Sequence, residues 1–175
     1  MKTVTIKLFT MLAAFAIFSG CDKLKELADV EFQAEVAINI PVRLNNDTSG
    51  EDQLEVKLSD VKELKEYMDY LEKIKVTSFV VSVPAYNGNN AVYDLELKVD
   101  GSTVYKGNDV DVPEMKQKGT TINVADQSTL ERIGNNLLNN KKIVVRGRAE
   151  TKSGAVTASF TVRCTIKMEI TANPL

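Results

Sequence analysis

One segment near the end of the chain constrains the fold more than any other. From Val156 to Ile170, apolar and polar residues alternate without a break, and this period of two is that of a β-strand with one buried face. Its apolar members are Val156, Ala158, Phe160, Val162, Cys164, Ile166, Met168 and Ile170. Because a shift of one residue would expose all eight of these side chains, we expect a long strand with a fixed register over a core.

A second alternating segment lies near the other end of the chain. Apolar residues occupy every second position from Phe32 to Leu44, which predicts another half-buried strand. Pro41 falls on the outward side of this strand and has no N–H to donate to a neighbour. The strand is therefore expected at a sheet edge or with a bend at Pro41.

A third alternating segment comes shortly before the last strand, with Ile143, Val145, Gly147 and Ala149 on one face. Ser153-Gly154 stands between the two segments and predicts a tight hairpin turn. If the two strands pair through that turn, Gly147 faces Phe160, whose ring would cover the glycine backbone.

The middle of the chain contains shorter strand patterns. We expect strands over residues 54–58, 76–83, 91–99 and 121–124, with shorter pieces near Val104 and Val110. Asp100-Gly101 predicts a tight hairpin turn, and Asn87-Gly88 predicts a second turn or loop.

Two segments have the pattern of short helices. Asp60 and Glu63 have the spacing of a capping box, and an apolar stripe follows at Val61, Leu64, Met68, Leu71 and Ile74. Ser128 and Glu131 repeat this spacing ahead of Leu130, Ile133 and Leu137, and Asn139-Asn140 ends the second helix.

These patterns together predict the fold class. About eight strands joined by one or two short connecting helices fit an all-β domain, an antiparallel immunoglobulin-like β-sandwich. No repeat or low-complexity segment divides the chain, so residues 31–175 are expected to form one domain.

The start of the chain has the organisation of an export signal. Lys2 and Lys7 precede an apolar segment over residues 8–18, which is too short to span a bilayer and predicts a cleaved signal peptide over residues 1–20. Phe18-Ser19-Gly20-Cys21 resembles the lipobox of bacterial lipoproteins, with Phe18 where Leu, Val or Ile is usual. The resemblance implies that Cys21 is acylated and begins a tether over residues 21–30, and two or three acyl chains hold a protein stably on a membrane.

The net charge and the cysteine content limit the kinds of partner that the chain can bind. Removal of residues 1–20 leaves 20 of 22 basic residues and all 24 acidic ones, a net charge of about −4, which argues against a nucleic-acid partner. With Cys21 committed to lipid, Cys164 has no disulfide partner and is expected to be a small buried residue. Asp22 alone is not an acidic run, so we expect an outer-membrane protein that faces the periplasm, with surface display as the alternative.

The residues offer little for catalysis. The chain has no histidine, which removes the commonest general base and transition-metal ligand, and its 24 acidic residues show no distinctive spacing. Residues 45–52 resemble the start of a calcium loop, but Val56 stands where the bidentate glutamate is needed, so a polar hairpin loop is expected. We therefore expect no enzyme, no cofactor and no metal site.

Two groups of residues are weak candidates for ligand contact. Tyr67 and Tyr70, on or beside the first helix, and Tyr86, at the start of a loop, could line a shallow site; buried rings at a helix–sheet seam are the alternative. The basic residues Lys141, Lys142, Arg146 and Arg148 could meet an anionic envelope glycan; solvated charges on a strand face are the alternative.

The layout of the whole chain resembles that of small Bacteroidetes-type envelope lipoproteins. The residues that carry the resemblance are the lipobox, the tether, the strand over 32–44, a helix leading into a strand over 74–83, and a long final strand ending in Asn173-Pro174-Leu175. Those proteins are similar to immunoglobulin-like sandwiches and mostly have no assigned activity. The resemblance implies the location and the fold only. We expect a non-enzymatic binding module whose partner is an envelope protein or glycan, because every strongly specified feature of the sequence serves folding or anchoring.

Two other functional classes remain open from the sequence. One is a subunit of a surface fibre or adhesin-like assembly that accepts a strand from a neighbour. The other is a glycan-binding protein or, as a further alternative, a glycan hydrolase with two carboxylates in a cleft.

Overall fold

The computed structural model describes residues 29–89, 92–124 and 126–174. The predicted signal peptide over residues 1–20, the lipid-accepting Cys21 and most of the predicted tether lie outside the described residues. The first strand begins at Val30, one residue before the predicted start of the domain.

The described residues form eight strands and two α-helices. The strands are β1 (Val30–Asp47), β2 (Ser49–Lys57), β3 (Leu71–Gly88), β4 (Val92–Val99), β5 (Ser102–Asp111), β6 (Thr121–Val124), β7 (Lys142–Glu150) and β8 (Val156–Ala172). The helices are α1 (Val112–Lys118) and α2 (Gln127–Asn140), and two 3-10 turns, Leu58–Asp60 and Lys62–Leu64, follow β2.

The strands form two four-stranded antiparallel sheets packed face to face. Sheet A has the order β1-β8-β3-β6, and sheet B has the order β2-β7-β4-β5. The pairs β1–β8, β2–β7, β3–β6 and β4–β5 are nested, as if one long hairpin had been rolled up, which is the strand order of a jelly roll. The predicted all-β sandwich with short connecting helices is confirmed, and the likeness to immunoglobulin domains holds at the level of two packed antiparallel sheets.

The two longest strands have the predicted register. Along β8, the residues from Ala158 to Ile170 that were predicted to face inward are buried, and Val156 is partly buried. β1 pairs with β8 along almost its whole length, from Val30 opposite Ala172 to Asp47 opposite Val156. β1 is an edge strand of sheet A, as the outward position of Pro41 predicted.

The predicted hairpin between the last two strands is wrong. β7 lies in sheet B and β8 lies in sheet A, so the chain crosses from one sheet to the other over residues 151–155. Gly147 therefore does not face Phe160: a Cβ built on Gly147 would lie 3.4 Å from side-chain atoms of Ile40 and of Leu97. A turn signal such as Ser153-Gly154 reports a change of direction and does not report which strand is met afterwards.

The first predicted helix is also wrong. The amides of Val61, Leu64, Tyr67 and Tyr70 each donate to the carbonyl three residues earlier, and no side chain caps either 3-10 turn. We call residues 58–70 the 3-10 ladder. Its apolar or aromatic residues recur at every third position, which suits three residues per turn, and Leu71 and Ile74 belong to β3 instead.

The second predicted helix is confirmed as α2, with a different cap. Asp126, not Ser128, accepts the hydrogen bond from the amide of Thr129 at the helix start. Ser128 donates its own hydroxyl to the same carboxylate. Gly134 lets α2 lie directly on β3, since a Cβ there would be 2.5 Å from the carbonyl oxygen of Ile74.

Helix α1 was not predicted. Asp111 caps it by accepting from the amide of Glu114, Pro113 stands in its first turn, and Gly119 ends it in the left-handed conformation. These are ordinary start and stop signals, but the helix has only seven residues and too few apolar positions to show a period.

The connections divide between two ends of the sandwich. The proximal end, where β1 begins and β8 ends, carries the 3-10 ladder, the Asp100-Gly101 turn and the end of α2; there the amide of Leu58 donates to Lys141 and that of Asn173 to Tyr70. The distal end carries the β1–β2 corner, the start of α1 and the β7–β8 connection, and the amide of Thr151 there donates to the carbonyl of Thr48. The chain preceding Val30 therefore enters the domain at the proximal end.

Candidate functional site

Two of the predicted ligand-contact residues lie at the proximal end. Tyr67 and Tyr70 are consecutive turns of the 3-10 ladder. The ring of Tyr67 is half-buried against Phe32 of β1, with ring centroids 5.0 Å apart, whereas Tyr70 is 45% exposed. Tyr67 thus packs between the 3-10 ladder and sheet A, and Tyr70 is the more accessible of the two tyrosines.

Tyr86 lies at the opposite end of sheet A from the other two tyrosines. It belongs to β3, not to a loop, and it pairs with Phe160, whereas the start of β3 pairs with Ala172. Twelve residues of strand separate these positions on β8, a distance of roughly 40 Å. The structure therefore does not bring Tyr67, Tyr70 and Tyr86 into one site.

An aromatic cluster surrounds Tyr86 at the distal end. The hydroxyl of Tyr86 donates to the carbonyl of Asn89 and lies 3.3 Å from the hydroxyl of Tyr93. The rings of Tyr86 and Tyr93 both pack against Phe160. Burial raises the pKa of Tyr93, which is 1% exposed, so this phenol stays protonated. The cluster joins sheet A to sheet B and has the character of a core element.

Arg146 and Arg148 lie on the outer face of sheet B within an array of opposite charges. Arg146 pairs with Glu51, Arg148 with Glu150 at 3.0 Å, and Lys142 with Glu55 at 2.7 Å. The hydrogen bond from Lys142 is the main cause that lowers the pKa of Glu55. A depression of about 150 Å³ among Glu51, Glu96, Lys98, Arg146 and Arg148 carries both signs of charge. Carboxylates of this chain pair with three of the four residues of the predicted basic group, all except Lys141, which favours the interpretation of these residues as solvated strand charges.

A second group of charges lies at the distal end. Asp94 of β4 accepts the amide of Asp109, and Lys152 pairs with both carboxylates, at 3.4 and 3.0 Å. The amide of Asp109 is the main cause that lowers the pKa of Asp94, and the hydrogen bond to Asp109 raises the pKa of Lys152. These contacts tie the β7–β8 connection to sheet B.

Cys164 has the inward position that its alternating strand predicted, but the hairpin loop predicted over residues 45–52 is wrong. All of these residues except Thr48 belong to β1 or β2, and these two strands lie in different sheets. Cys164 is buried, and burial raises its pKa to about 12. Residues 45–52 form the corner between β1 and β2, where Asp47 accepts the amide of Thr48. Within the part of the chain that the structure describes, no cluster of three or more His, Cys, Asp or Glu residues could hold a metal ion.

The outer face of sheet A contains a contrast that the sequence did not reveal. We call its proximal half the proximal face; its residues are Glu31, Gln33, Glu35, Lys73, Lys75, Ser78, Lys167, Glu169 and Thr171. Six of these nine are Lys or Glu. Lys75 pairs with Glu169 at 2.9 Å and Lys167 with Glu35 at 3.7 Å, so opposite charges are matched across neighbouring strands.

We call the part of the other half that runs from Ala37 to Arg43 on β1, with the residues beside it on β8, β3 and β6, the distal face. Its outward residues are Ala37, Asn39, Pro41, Arg43, Val80, Ser82, Ala85, Asn87, Thr121, Asn123, Ser159, Thr161, Arg163 and Thr165. Arg43 and Arg163 are its only charged residues. Arg163 donates to the side-chain oxygen of Asn39 at 2.8 Å, and neither arginine pairs with a carboxylate among the described residues.

A shallow groove crosses the distal face. It has a volume of about 230 Å³, and the side chains of Pro41, Arg43, Ala85 and Thr161 are among its lining. β1, β8 and β3 contribute these residues from positions far apart in the sequence. Only the order of the strands brings them together, which is why spacing along the chain could not predict this site.

Comparisons with known proteins add little about this site. No protein-family model and no curated protein matches the sequence. Among solved structures, the cryo-EM structure of Mud crab tombus-like virus matches with a TM-score of 0.42 and 12% identity, covering 98% of this chain and 96% of that chain. Desmodium yellow mottle tymovirus matches with a TM-score of 0.40 and 10% identity, covering 95% and 97%.

A third match is the cryo-EM structure of a Macrobrachium rosenbergii nodavirus particle, with a TM-score of 0.41 and 11% identity, covering 99% of this chain and 96% of that chain. At TM-scores below 0.5, these similarities say nothing about what this chain binds. Separately, no helix among the described residues is long and apolar enough to cross a membrane.

Proposed function

We propose that this chain is a non-enzymatic, lipid-anchored protein of the bacterial cell envelope, and that its β-sandwich is an interaction module. One observation carries the proposal: the lipobox-like Phe18-Ser19-Gly20-Cys21 ends an apolar leader nine residues before β1 begins at Val30. The acylated Cys21 attaches the protein to the outer membrane on its periplasmic side, since no acidic run follows Cys21; display on the cell surface is the alternative.

The arrangement of the domain supports this proposal. The tether leads into the proximal end, so the distal end and the distal face lie farthest from the lipid. Residues 22–29 extend to at most roughly 28 Å, which holds the domain near the bilayer while leaving its far end accessible. A partner in the envelope would therefore meet the distal part of the sandwich.

The two cysteines provide a matched test of the anchor. With labelled palmitate, we expect the full chain and Cys164→Ala to incorporate label and to partition with membranes, because Cys164 is buried and Cys21 is the acyl acceptor. Cys21→Ser should lose both properties. Label in Cys21→Ser, or none in the unaltered chain, would refute the lipid anchor.

The edge position of β1 favours the fibre subunit as a second candidate function. An edge strand of 18 residues offers a long row of backbone groups to a neighbouring strand. Three features oppose such pairing: Pro41 on β1, the four-residue length of β6, and Asp52, which is exposed on the inward side of edge strand β2 opposite Gly147.

These features predict a monomer with protected edges. We expect the detergent-solubilised chain to remain monomeric in size-exclusion chromatography with light scattering, and the double variant Pro41→Thr, Asp52→Val to form larger species. The conservative variant Pro41→Thr, Asp52→Asn should lie between them. Heat-sensitive ladders from the unaltered chain on unheated gels would instead establish strand exchange between subunits.

A further inference from the structure

We propose that the distal face is a docking surface for another envelope protein that presents carboxylates to Arg43 and Arg163. The proposal deepens the function proposed above and rests on it, since it names the face and the chemistry of the partner. Its starting point is the difference between the two halves of one continuous sheet.

The charged residues of the distal face, though not its Ser and Ala residues, are those of an interface core more than of free surface. Cores of protein–protein interfaces are depleted in Lys, Glu and Asp and enriched in Arg, because arginine is more weakly hydrated and loses less on desolvation. The distal face has no Lys, Glu or Asp among its outward residues, while the proximal face carries Lys and Glu and no Arg. β1, β3 and β8 contribute residues to both faces, so strand propensity does not explain the difference.

The two arginines specify the charge of the partner. The mature chain is acidic overall, and arginines on the outer face of sheet B pair with carboxylates of this chain. Arg43 and Arg163 lie one strand apart and four residues apart along the strands, roughly 14 Å from each other. A partner with two carboxylates at about that spacing could make a charge-assisted contact with each of them.

The same charges exclude a second copy as the favoured occupant. If two distal faces packed on each other, four arginines would enter one interface without a carboxylate from either face. The face spans four strands and about seven residues along β1, roughly 15 by 20 Å. That footprint is small, so the contact belongs to the transient class of interfaces, with the groove beside Arg43 able to receive a side chain of the partner.

Site-specific crosslinking tests this proposal on the full chain in its native membrane. A photoreactive phenylalanine derivative replaces Ala85 on the distal face or, as the matched control, Gln33 on the proximal face; both positions are exposed outward positions of sheet A. We expect a discrete adduct with one other envelope protein from position 85 and none from position 33.

A charge swap then tests the chemistry with the identified protein. Its affinity for the double variant Arg43→Glu, Arg163→Glu should fall at least tenfold, and changing the facing carboxylates of the partner to arginine should restore it. Lys167→Glu on the proximal face should leave the affinity within twofold. An affinity unchanged in the double variant, or no restoration by the swap, would overturn the proposal.

The remaining outcomes separate this proposal from the lipid anchor. Equal adducts from both positions, an adduct with a second copy, or arginine-dependent binding of polygalacturonate in place of a protein would each overturn the docking surface. An acylated chain without an adduct would do the same while leaving the anchor intact. An adduct formed by a chain whose Cys21 is not acylated would refute the anchor and support the docking surface.

Discussion

The proximal and distal halves of the sandwich share most of their strands. They differ in the elements that close the core and in the residues that cover the outer face of sheet A. In the proximal half, the 3-10 ladder and α2 close the core, and the outer face of sheet A is covered by matched Lys and Glu residues. In the distal half, the aromatic cluster of Tyr86, Tyr93 and Phe160 closes the core, and the outer face carries two arginines that pair with no carboxylate of the described part of the chain.

The difference shows that the buried and exposed sides of a strand are constrained separately. Along β8, the inward residues are apolar from end to end, whereas the outward residues change from Lys167 and Glu169 to Ser159, Thr161 and Thr165. Stability requires the first pattern and does not require the second. The change in outward residues along β8 therefore indicates a selective pressure other than folding.

The largest expected effect concerns whether the proximal half is packed as tightly as the distal half. Leu64 in the ladder and Leu44 near the distal end of β1 are both 0% exposed. We expect Leu64→Ala and Leu44→Ala each to lower the free energy of unfolding by about 3 kcal/mol, measured by urea denaturation. Leu54→Ala is the control and should cost less than about 1 kcal/mol, since Leu54 is 37% exposed. If Leu64→Ala lowered the free energy of unfolding as little as Leu54→Ala does, the 3-10 ladder would not be tightly packed on the core.

Two buried glycines differ in how closely the neighbouring backbone approaches them. Gly134→Ala should destabilise the protein by about 2 kcal/mol, because its methyl group would meet the backbone carbonyl of Ile74 at 2.5 Å and push α2 away from β3. Gly147→Ala should change stability by less than about 1 kcal/mol, since its methyl group would meet Ile40 and Leu97 at 3.4 Å. The melting temperatures of the two variants would decide this, and equal values would contradict the close helix–strand contact.

Cys164, near the middle of β8, reports on the core that both halves share. Burial raises the folded-state pKa of its thiol to about 12, so above about pH 9 the unfolded chain loses this proton while the folded chain keeps it. The free energy of unfolding should therefore fall by about 1 kcal/mol from this residue by pH 10. Cys164→Ala should lack that component. Iodoacetamide should react with this thiol only after unfolding, and rapid reaction with the native protein would place the thiol at the surface.

The smallest effect is expected on the proximal face. Lys75→Ala removes the ion pair with Glu169, both of whose side chains are about half exposed, and should cost less than about 0.5 kcal/mol. The difference should vanish in 1 M salt, where exposed charges are screened. Chemical denaturation by urea at low and high salt measures it. A cost above 1 kcal/mol would show that these ion pairs are structural and would weaken the contrast between the two faces.

Local patterns predicted what depends on local structure. The strands β1, β7 and β8 and helix α2 were predicted because periods of two and 3.6 residues are visible within one segment. The 3-10 ladder was misread as an α-helix because apolar residues at Val61, Leu64, Met68 and Leu71 fit steps of three and four equally well. The deciding signal was the unbroken step of three through Leu58, Val61, Leu64, Tyr67 and Tyr70.

The features that were missed depend on which strands meet. Nothing in residues 151–155 states that the chain changes sheets, so the hairpin between β7 and β8 was a reasonable but wrong prediction. Arg43 and Arg163 are separated by 120 positions and share a face only because β1 lies beside β8. The sequence suggests one site for Tyr67 and Tyr86, but the strand β3 runs between them, so the ladder residue Tyr67 and the β3 residue Tyr86 lie at opposite ends of the sheet.

Mass spectrometry of the N-terminal peptide from native membranes tests the attachment of this sandwich most directly. We expect the mature chain to start at Cys21 and this residue to carry the added mass of a diacylglycerol, with or without a further acyl chain on its amino group. A peptide that still contains residues 1–20, or one whose Cys21 thiol is unmodified, would contradict it.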